Sequence, residues 1–218
     1  MSITENYHKL RAEIPADVTI VLAGKTRTMS EIAEAIDAGA TDIGENYVQE
    51  AEQIYNALGE KAKVIRWHLI GHLQKNKLHK ALPIFDIIET IDSLSLAEAI
   101  NSRAKRVISA YIEINSGKEP QKSGVIPEDA ENLIRKISDL EYIKIEGLMT
   151  MGPRFGNPED ARPYFKEIKQ LFDHLATLNL SNVEMNVLSM GMSNSYKIAI
   201  EEGSNLIRVG TIIFGERP

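Results

Sequence analysis

Apolar and polar residues alternate along this chain in blocks that predict a regular succession of strands and helices. Short runs rich in aliphatic and β-branched residues are typical of buried strands, whereas apolar residues at every third or fourth position are typical of amphipathic helices. One such helical segment, residues 3–13, precedes the first strand. Helical segments also lie between most of the predicted strands, which occupy residues 18–24, 41–44, 64–70, 85–91, 107–114, 143–149, 183–189 and 206–213.

Several of the predicted helices carry sequence signals at their starts. Residues 28–31 (Thr-Met-Ser-Glu) and residues 46–49 (Asn-Tyr-Val-Gln) have the pattern of a capping box. Pro127 suits the first turn of a helix, where its missing N–H costs no hydrogen bond. These signals support helices after the first, second and fifth strands.

The order of the elements predicts the fold. Sequential strand–helix units favour a parallel sheet, and eight of them fit an α/β (β/α)8 TIM barrel at the short end of its size range. An open, doubly wound sheet is the alternative that the pattern leaves. The eight units use up the 218 residues. We therefore predict a single barrel domain over residues 1–218, with an extra N-terminal helix.

Composition excludes several classes of protein. With a net charge of −6 and a pI near 5.5, the chain lacks the basic field that nucleic-acid and membrane-surface binding usually need. We interpret two short basic runs, residues 75–77 and 103–106, as solvated helix faces. The chain has no cysteine, its polar amino terminus is unlike a signal peptide, and no apolar run reaches membrane-spanning length. We expect a cytoplasmic protein.

Candidate chemical groups cluster where the strands of such a barrel end, which is the face that carries active sites. Lys25 follows the first strand in VLAGKTRT, a stretch that is not a nucleotide-binding P-loop because Thr19 stands where that loop needs glycine. Asn46 follows the second strand, His68 lies in the third and Arg208 in the eighth. We expect these side chains to converge at the mouth of the barrel.

The fifth strand has the two faces that a barrel strand requires. Tyr111, Glu113 and Asn115 alternate with Ile112 and Ile114. Because successive side chains of a strand point to opposite faces, the first three share one face and the two isoleucines share the other. The polar face is expected to turn toward the barrel mouth.

Other polar and sulfur-containing residues have an ordinary structural interpretation. Four residues of a strand span roughly 13 Å, so His68 and His72 cannot chelate one ion; we predict no metal site and a packed, hydrogen-bonded His68 beside the site. Asn46 can be a helix N-cap as well as a ligand. The remaining groups are interpreted as solvated helix charges (Glu45, Glu50 and Glu52) and as core packing (Met149, Met190 and Met192).

Arg208 suggests what the ligand contains. Its neighbours in NLIRVGTIIFG are apolar, so it is expected to be buried and to need an acceptor, because an unpaired guanidinium is costly inside a protein. Gly210 and Thr211 offer backbone N–H groups, and Ser193 lies at a predicted helix start. Barrels often bind phosphate with the loops after strands seven and eight. The expected ligand has a phosphate, an acceptor for Arg208 and an electrophile for Lys25.

Pyridoxal 5′-phosphate (PLP) has all three features, since it offers an aldehyde for a lysine Schiff base, a ring nitrogen for an arginine, and a phosphate. Composition and spacing leave a lysine-dependent aldolase that acts on a sugar phosphate equally open. An aldolase would be colourless, whereas a protein that holds PLP as a Schiff base is yellow.

A longer resemblance favours the cofactor. In order along nearly the whole chain, its motifs resemble those of the pyridoxal phosphate homeostasis protein family: GENYVQE, RWHLIGHLQKNK, KSG at 122–124, GLMTM, ARPYF, LSMGMS and EEGSNLIRVGTIIFGER. The resemblance implies a barrel similar to the N-terminal domain of alanine racemase. It also implies covalent binding of PLP and a part in vitamin B6 balance without a well-established catalytic reaction.

The resemblance also implies site residues by motif position. Lys25 corresponds to the Schiff-base lysine, Arg208 to the arginine that faces the pyridine nitrogen, and Asn46 to a residue lining the site. No residue is assigned a catalytic role. The other cofactor-binding candidates are His68, Met149, Ser189, Gly191, Ser193, Gly210 and Thr211, of which Ser193, Gly210 and Thr211 form the implied phosphate cradle.

Two positions depart from the family pattern. Gly24 stands where the family usually has serine, and Ser195 stands where it often has an acidic residue. The first departure affects a local hydrogen bond and the second removes a charge near a helix start. Neither alters the covalent chemistry.

The implied function is that of a carrier or regulator that holds PLP and releases it to apoenzymes; a PLP-dependent amino-acid racemase of low activity is the alternative. Racemisation needs acid–base groups on both faces of the reacting carbon. In the resembling racemases one group is a tyrosine from a second domain, for which a chain ending at Pro218 is expected to have no room. A charged arginine at the ring nitrogen also weakens the electron sink. We expect a monomer that binds PLP and apoenzymes, and neither nucleic acid nor membrane.

Overall fold

The computed structural model describes residues 2–152 and 156–216, so the ends of the predicted domain, residues 1, 217 and 218, lie outside the described residues. The strands form one closed barrel in sequence order, in which the eighth strand pairs with the first. Every pairing is parallel. The predicted (β/α)8 barrel is therefore confirmed, and the open sheet is excluded.

All eight predicted strands are present, and the main difference is at the last one. It ends at Val209 because the backbone of Gly210 leaves the extended conformation, with φ −130° and ψ −69°. Residues 211–213, predicted as strand, belong to a short helix instead. The strands are β1 (Thr19–Ala23), β2 (Asp42–Glu45), β3 (Arg66–Leu69), β4 (Ile87–Ile91), β5 (Ile108–Ile114), β6 (Ile143–Thr150), β7 (Val183–Ser189) and β8 (Leu206–Val209).

The helices surround the barrel, and the predicted N-terminal helix is present as the first of them. Short 3-10 turns occupy Gly59–Val64, Lys75–Lys77 and Pro158–Ala161. The α-helices in the described residues are α1 (Ile3–Glu13), α2 (Met29–Asp37), α3 (Val48–Leu58), α4 (Leu78–Ala81), α5 (Leu94–Asn101), α6 (Pro127–Ile137), α7 (Arg162–Ala176), α8 (Tyr196–Glu201) and α9 (Thr211–Phe214).

Of the three helix starts predicted from capping-box or proline signals, two are confirmed. The Glu31 N–H donates to the Thr28 hydroxyl (3.3 Å) and the Thr28 N–H donates to the Glu31 carboxylate (2.7 Å), which completes a capping box on α2. Helix α6 begins at Pro127. The second predicted capping box is wrong: the backbone of Tyr47 is extended, so α3 begins at Val48 and no side chain caps it.

Strand alternation separates two apolar layers. Outward side chains such as Ile20 and Leu22 of β1 pack under the helices. The inward side chains form a smaller cluster that fills the barrel, so that a ligand has to bind at one of its ends. This inner core consists of Val21, Ile87, Tyr111, Met149 and Leu206.

The second basic run lies in a loop and not on a helix. Helix α5 ends at Asn101, and residues 103–106 connect it to β5. The interpretation of this run as a solvated helix face is therefore wrong, because the helix stops before the run begins. Among the described residues, no helix is both long and apolar enough to cross a bilayer.

Candidate functional site

A cavity of about 670 Å³ opens at the carboxyl-terminal end of the barrel. We call it the mouth cavity. It brings together five of the predicted site residues, one from β8 itself and the others from the segments after β1, β7 and β8, as expected for a barrel of this type. These five are Lys25, Ser193, Arg208, Gly210 and Thr211, and the rest of the lining includes Ala23, Arg27, Met192, Asn194 and Ile212.

Lys25 is carried by a tight turn between β1 and α2. The Arg27 N–H donates to the Gly24 carbonyl (2.9 Å), and Thr26 has a φ of +64°. This left-handed conformation is unfavourable for a β-branched residue, and such strain is found where a surrounding structure holds a functional turn in place. The Thr26 N–H donates weakly to Glu50 (3.4 Å).

Arg27 lines the mouth cavity and was not predicted from the sequence. Its guanidinium donates to the carbonyls of Phe214 (3.2 Å) and Gly215 (2.5 Å) and lies 5.4 Å from the centre of the Phe214 ring. These contacts join the Lys25 turn to the segment after β8. The available signal was its position two residues after Lys25 on the same loop.

Arg208 is buried inside the barrel, with 4% of its surface exposed. Its guanidinium donates to the Ser189 hydroxyl and, at 2.8 Å, to the Thr150 carbonyl, and it lies 3.6 Å from Glu89. Burial lowers the pKa of Arg208, and the charges of Glu89 and Glu113 oppose that change. The acceptors expected from its apolar sequence neighbours are therefore present, and a guanidinium remains charged in such a setting.

The hydrogen bonds continue from Arg208 through the barrel as a buried polar chain. Glu89 accepts from the Ser189 hydroxyl (2.7 Å) and contacts His68 Nδ1 (2.7 Å), while His68 Nε2 contacts Asp42 (2.9 Å). Two carboxylates thus alternate with the two basic groups of His68 and Arg208. The predicted packed, hydrogen-bonded His68 is present at the centre of this chain.

Electrostatics favour the charged form of each acid and of the imidazole. Burial opposes protonation of His68, but the hydrogen bonds and charges of Asp42 and Glu89 outweigh it and raise the pKa of His68 above its ordinary value. Burial likewise opposes ionisation of Glu89, but His68 and Arg208 hold the pKa of its carboxyl below the usual range. A buried charge of this kind is stable only when it is paired.

Glu89 was missed by the sequence analysis although a signal was present. It is the one charged residue in the otherwise apolar or uncharged strand IIETI, and its side chain is fully buried. The same argument that singled out Arg208, a charge flanked by apolar residues, applies to it.

The loop after β7 supports the β8 residues through specific contacts. The Ser193 hydroxyl accepts the Gly210 N–H (3.2 Å), and the Gly191 carbonyl accepts the Arg208 N–H (3.1 Å). The predicted helix start at Ser193 is wrong, because α8 begins at Tyr196 and its N-terminal flanking residue is Ser195. Ser193 therefore reaches the cavity from a loop.

Not all predicted site residues line the mouth cavity. His68, Ser189 and Met149 lie below it, the first two in the buried polar chain and Met149 in the inner core. Gly191 contributes backbone, with φ +94°. Asn46 lies just beyond β2, and its buried side-chain oxygen has no hydrogen-bond partner.

Glu45 is not the solvated helix charge that the sequence suggested. It is the last residue of β2, it is fully buried, and neither carboxylate oxygen has a hydrogen-bond partner. Burial, together with the charge of Glu50, raises the pKa of Glu45 to about 8; the Asn46 N–H, which lies nearby without completing a hydrogen bond, and the charge of Lys25 oppose the change. The carboxyl occupies the space that a side chain on Gly24 would need. Glycine at position 24, where the family usually has serine, therefore leaves the space that the Glu45 carboxyl occupies.

A second cavity of about 410 Å³ adjoins the first, since Met192 lines both. Glu113, Asn115 and Lys122 contribute its polar lining. Burial, and then the charge of Asp92, raises the pKa of Glu113 to about 7, although Arg208 opposes the change. Among the described residues, no group of three or more His, Asp or Glu side chains could hold a metal ion.

Comparison with known proteins identifies the family. The family model for the alanine racemase N-terminal domain matches residues 1–218. A pyridoxal phosphate homeostasis protein of Aquifex aeolicus is 41% identical, over 89% of this chain and 85% of the relative. The protein of the same name from Escherichia coli K12 is 34% identical, over 93% of this chain and 87% of the relative.

Solved structures agree. PipY from Synechococcus elongatus PCC7942 matches with a TM-score of 0.91 without PLP, at 32% identity over 98% of this chain and 100% of that one. With PLP bound it matches with a TM-score of 0.89, at 31% identity and the same coverage. Alanine racemase of Clostridium difficile 630 matches over 100% of this chain and 56% of the racemase chain, with a TM-score of 0.78. At 18% sequence identity, this match supports the fold alone. The chain therefore belongs to the pyridoxal phosphate homeostasis protein family and has the alanine racemase N-terminal fold.

Proposed function

We propose that this protein binds PLP in the mouth cavity, with Lys25 attached covalently to the cofactor, and that it acts as a carrier or regulator of PLP. The observation that carries the proposal is the convergence of Lys25, Arg208 and Ser193 on one cavity of about 670 Å³. That volume is within the range of small-ligand sites. A relative at 31% identity, PipY, has a structure with PLP bound.

The residues of the cavity fit the three parts of the cofactor. The cofactor supplies an aldehyde carbon, to which a lysine amine can bond reversibly as a Schiff base. Arg208 is already fixed by Ser189 and Thr150 and would present a charged donor to the ring nitrogen. Ser193, Gly210 and Thr211, the predicted phosphate cradle, would hold the phosphate, and the Ser193 hydroxyl, which accepts the Gly210 N–H, keeps its own proton to donate.

The buried polar chain favours a carrier over a racemase. The guanidinium of Arg208 stays charged beside Glu89, so it would keep the ring nitrogen unprotonated and the cofactor a weak electron sink. A racemase would also need a second acid–base group at the reacting carbon. Tyr111 does not suit this role because it belongs to the inner core, where burial raises its pKa, and Tyr47 is 58% exposed beyond β2.

Further parts of the proposal rest on sequence character alone. We propose that the protein acts in the cytoplasm as a monomer and that its partners are PLP-dependent apoenzymes. The acidic net charge of −6 supports small-molecule and protein partners over nucleic acid. Size-exclusion chromatography with light scattering measures the molar mass in solution and so tests the proposed monomeric state. The mass of a dimer would contradict it.

The covalent assignment is tested by spectroscopy and peptide mapping. Protein incubated with PLP is expected to be yellow, and borohydride reduction should leave a pyridoxyl group on the peptide containing Lys25. Lys25→Ala should abolish the visible absorption band that makes the protein yellow. Replacing Lys136, an exposed lysine on α6, with alanine should leave that band unchanged. Labelling mainly at Lys122, in the adjoining cavity, would reject Lys25. A colourless protein that cleaves a sugar phosphate would support the aldolase.

The carrier function needs a transfer assay. The PLP-loaded protein is mixed with a PLP-dependent apoenzyme in the presence of a scavenger of free PLP, so that only direct transfer restores activity. We expect the apoenzyme to become active and the protein to show little or no interconversion of amino-acid enantiomers. An inactive apoenzyme together with enzymatic racemase turnover would favour the alternative.

A further inference from the structure

A third cavity, of about 650 Å³, lies at the opposite end of the barrel from the mouth cavity. We call it the amino-terminal cavity. Its lining comes from His79 of α4 and from the loops that lead into β4 and β5, and Ile108, the first residue of β5, contributes to its floor. Leu82 and Pro83 add apolar surface. This volume suits a small organic ligand.

Three cationic side chains border the amino-terminal cavity: Arg103, Lys105 and Arg106. They belong to the basic run that the sequence analysis assigned to a helix face, and the proposed PLP function makes no use of them. In a protein with a net charge of −6, three neighbouring cations in one connecting loop form a local field of the opposite sign.

The two arginines are held in place by the protein. Arg103 donates to the Ala99 carbonyl (3.0 Å) and to the Ser102 hydroxyl (3.2 Å). Arg106 donates to the Phe85 carbonyl (2.8 Å). Each contact uses only part of a guanidinium, which has five donors, so both keep donors for a ligand. Fixing the side chains in advance lowers the entropy lost on binding.

The charge of this cluster is only partly balanced by the protein. Among the described residues, the ion pair shown for the three cations is Arg106 with Asp86, at 3.6 Å. The other Asp86 oxygen accepts the Trp67 N–H (3.0 Å). Asp86, already engaged with the backbone, is therefore paired with one of the three cations.

We propose that the amino-terminal cavity binds a small phosphate monoester with an apolar or aromatic body. Guanidinium groups match phosphate oxygens in pairs, and three cations suit the double charge of a phosphate monoester better than a single carboxylate. The apolar floor of Leu82, Pro83 and Ile108 would contact the body of the ligand. A nucleotide and a phosphorylated vitamin B6 compound share this chemistry.

Calorimetry tests the proposal on protein that has been loaded with PLP and then freed of unbound cofactor by gel filtration, so that, on the proposed function, the mouth cavity is filled and the amino-terminal cavity is not. The probes are adenosine 5′-monophosphate, pyridoxine 5′-phosphate, which has no aldehyde, and adenosine as the phosphate-free comparison. We expect at least one monoester to bind at one site, at least about tenfold more tightly than adenosine. The monoester that binds more tightly shows whether the cavity prefers a nucleotide or a phosphorylated vitamin B6 compound.

Two double variants localise the binding. Arg103→Gln with Lys105→Gln should weaken it at least about tenfold, whereas Arg135→Gln with Lys136→Gln, the same charge change on the exposed face of α6, should not. Lys105→Gln alone, at an exposed position, is the second variant if the first unfolds, and should weaken binding at least about threefold. Failure of both monoesters to bind, or equal binding by the cavity and control variants, would overturn the proposal.

Discussion

Replacing Glu89 with glutamine tests the buried polar chain directly. The substitution keeps the shape of the side chain and removes a charge that lies 2.7 Å from His68 Nδ1 and 3.6 Å from Arg208. Removing one partner of a buried ion pair typically destabilises a protein by about 3–5 kcal/mol. Because the amide can still form hydrogen bonds and His68 can release its proton, we expect a loss at the low end, about 3 kcal/mol.

The loss should depend on pH with a definite sign. The pKa of His68 is raised above 6.5 in the folded protein, so its contribution is complete below that pH and is lost as the pH rises through the folded value. The pKa of Glu89 is lowered below 4.5, so its contribution is complete above that pH and is lost as the pH falls. The two proteins should therefore differ most between about pH 5 and 6.5, and less at alkaline pH.

Urea unfolding of both proteins at several pH values measures this difference. Glu131→Gln is the matched control, because Glu131 contacts His174 at 2.8 Å in an exposed pair, where solvent screens the interaction. The control should hardly change stability at any pH. A loss below about 1 kcal/mol for Glu89→Gln, or a pH profile that matches the control, would refute the role of the polar chain in holding the barrel.

Three further substitutions test the site. Arg208→Glu should weaken PLP binding and shift the spectrum of the bound cofactor, because a carboxylate favours a protonated ring nitrogen; an unchanged spectrum and affinity would contradict this contact. Gly24→Ala should lower the free energy of unfolding by about 1–3 kcal/mol, because its Cβ would meet the Glu45 carboxyl and lie 2.8 Å from Ile32 Cδ1. The control Gly156→Ala, where a Cβ would have open space, should leave the free energy of unfolding unchanged. Equal effects of the two substitutions would reject the packing argument. Glu45→Gln should gain stability relative to the wild type as the pH rises from 4.5 toward about 8. In this range the Glu45 carboxyl of the wild type is protonated in the folded protein and ionised in the unfolded chain, so that rising pH favours unfolding of the wild type alone. A stability difference that does not change with pH in unfolding experiments would exclude the buried, protonated carboxyl.

The barrel and its order could be predicted because both depend on local pattern. Alternation within a strand fixes which side chains point inward, and it placed Tyr111 and Ile112 in the inner and outer layers that the structure shows. The short helix at 211–214 could not be predicted as easily. Its sequence, TIIF, is apolar and β-branched, and periodicity cannot separate helix from strand over four residues.

The buried carboxyl of Glu45 depended on contacts between distant parts of the sequence. Its burial requires the space at Gly24, just beyond the neighbouring strand β1, and no pattern within GENYVQE reports that space. The convergence of Lys25 with Arg208 was predictable, since both lie toward the carboxyl ends of strands in one barrel. The contacts that hold Arg208, by contrast, come from β4, β6 and β7. Ser189 was a candidate by resemblance only, and Glu89 was the one whose own sequence neighbours carried a signal.

The buried polar chain also constrains how this barrel can evolve. It runs from Arg208 below the mouth, through Glu89 and His68, to Asp42, which pairs with Arg66 at the other end at 2.8 Å. Any single replacement by an apolar residue leaves a neighbouring charge without its counterion, whereas replacing the whole set by well-packed apolar residues can be neutral or stabilising. The members are therefore epistatic: a lineage can keep all of them or exchange them together, and the intermediates between those two states are the least stable barrels on the path.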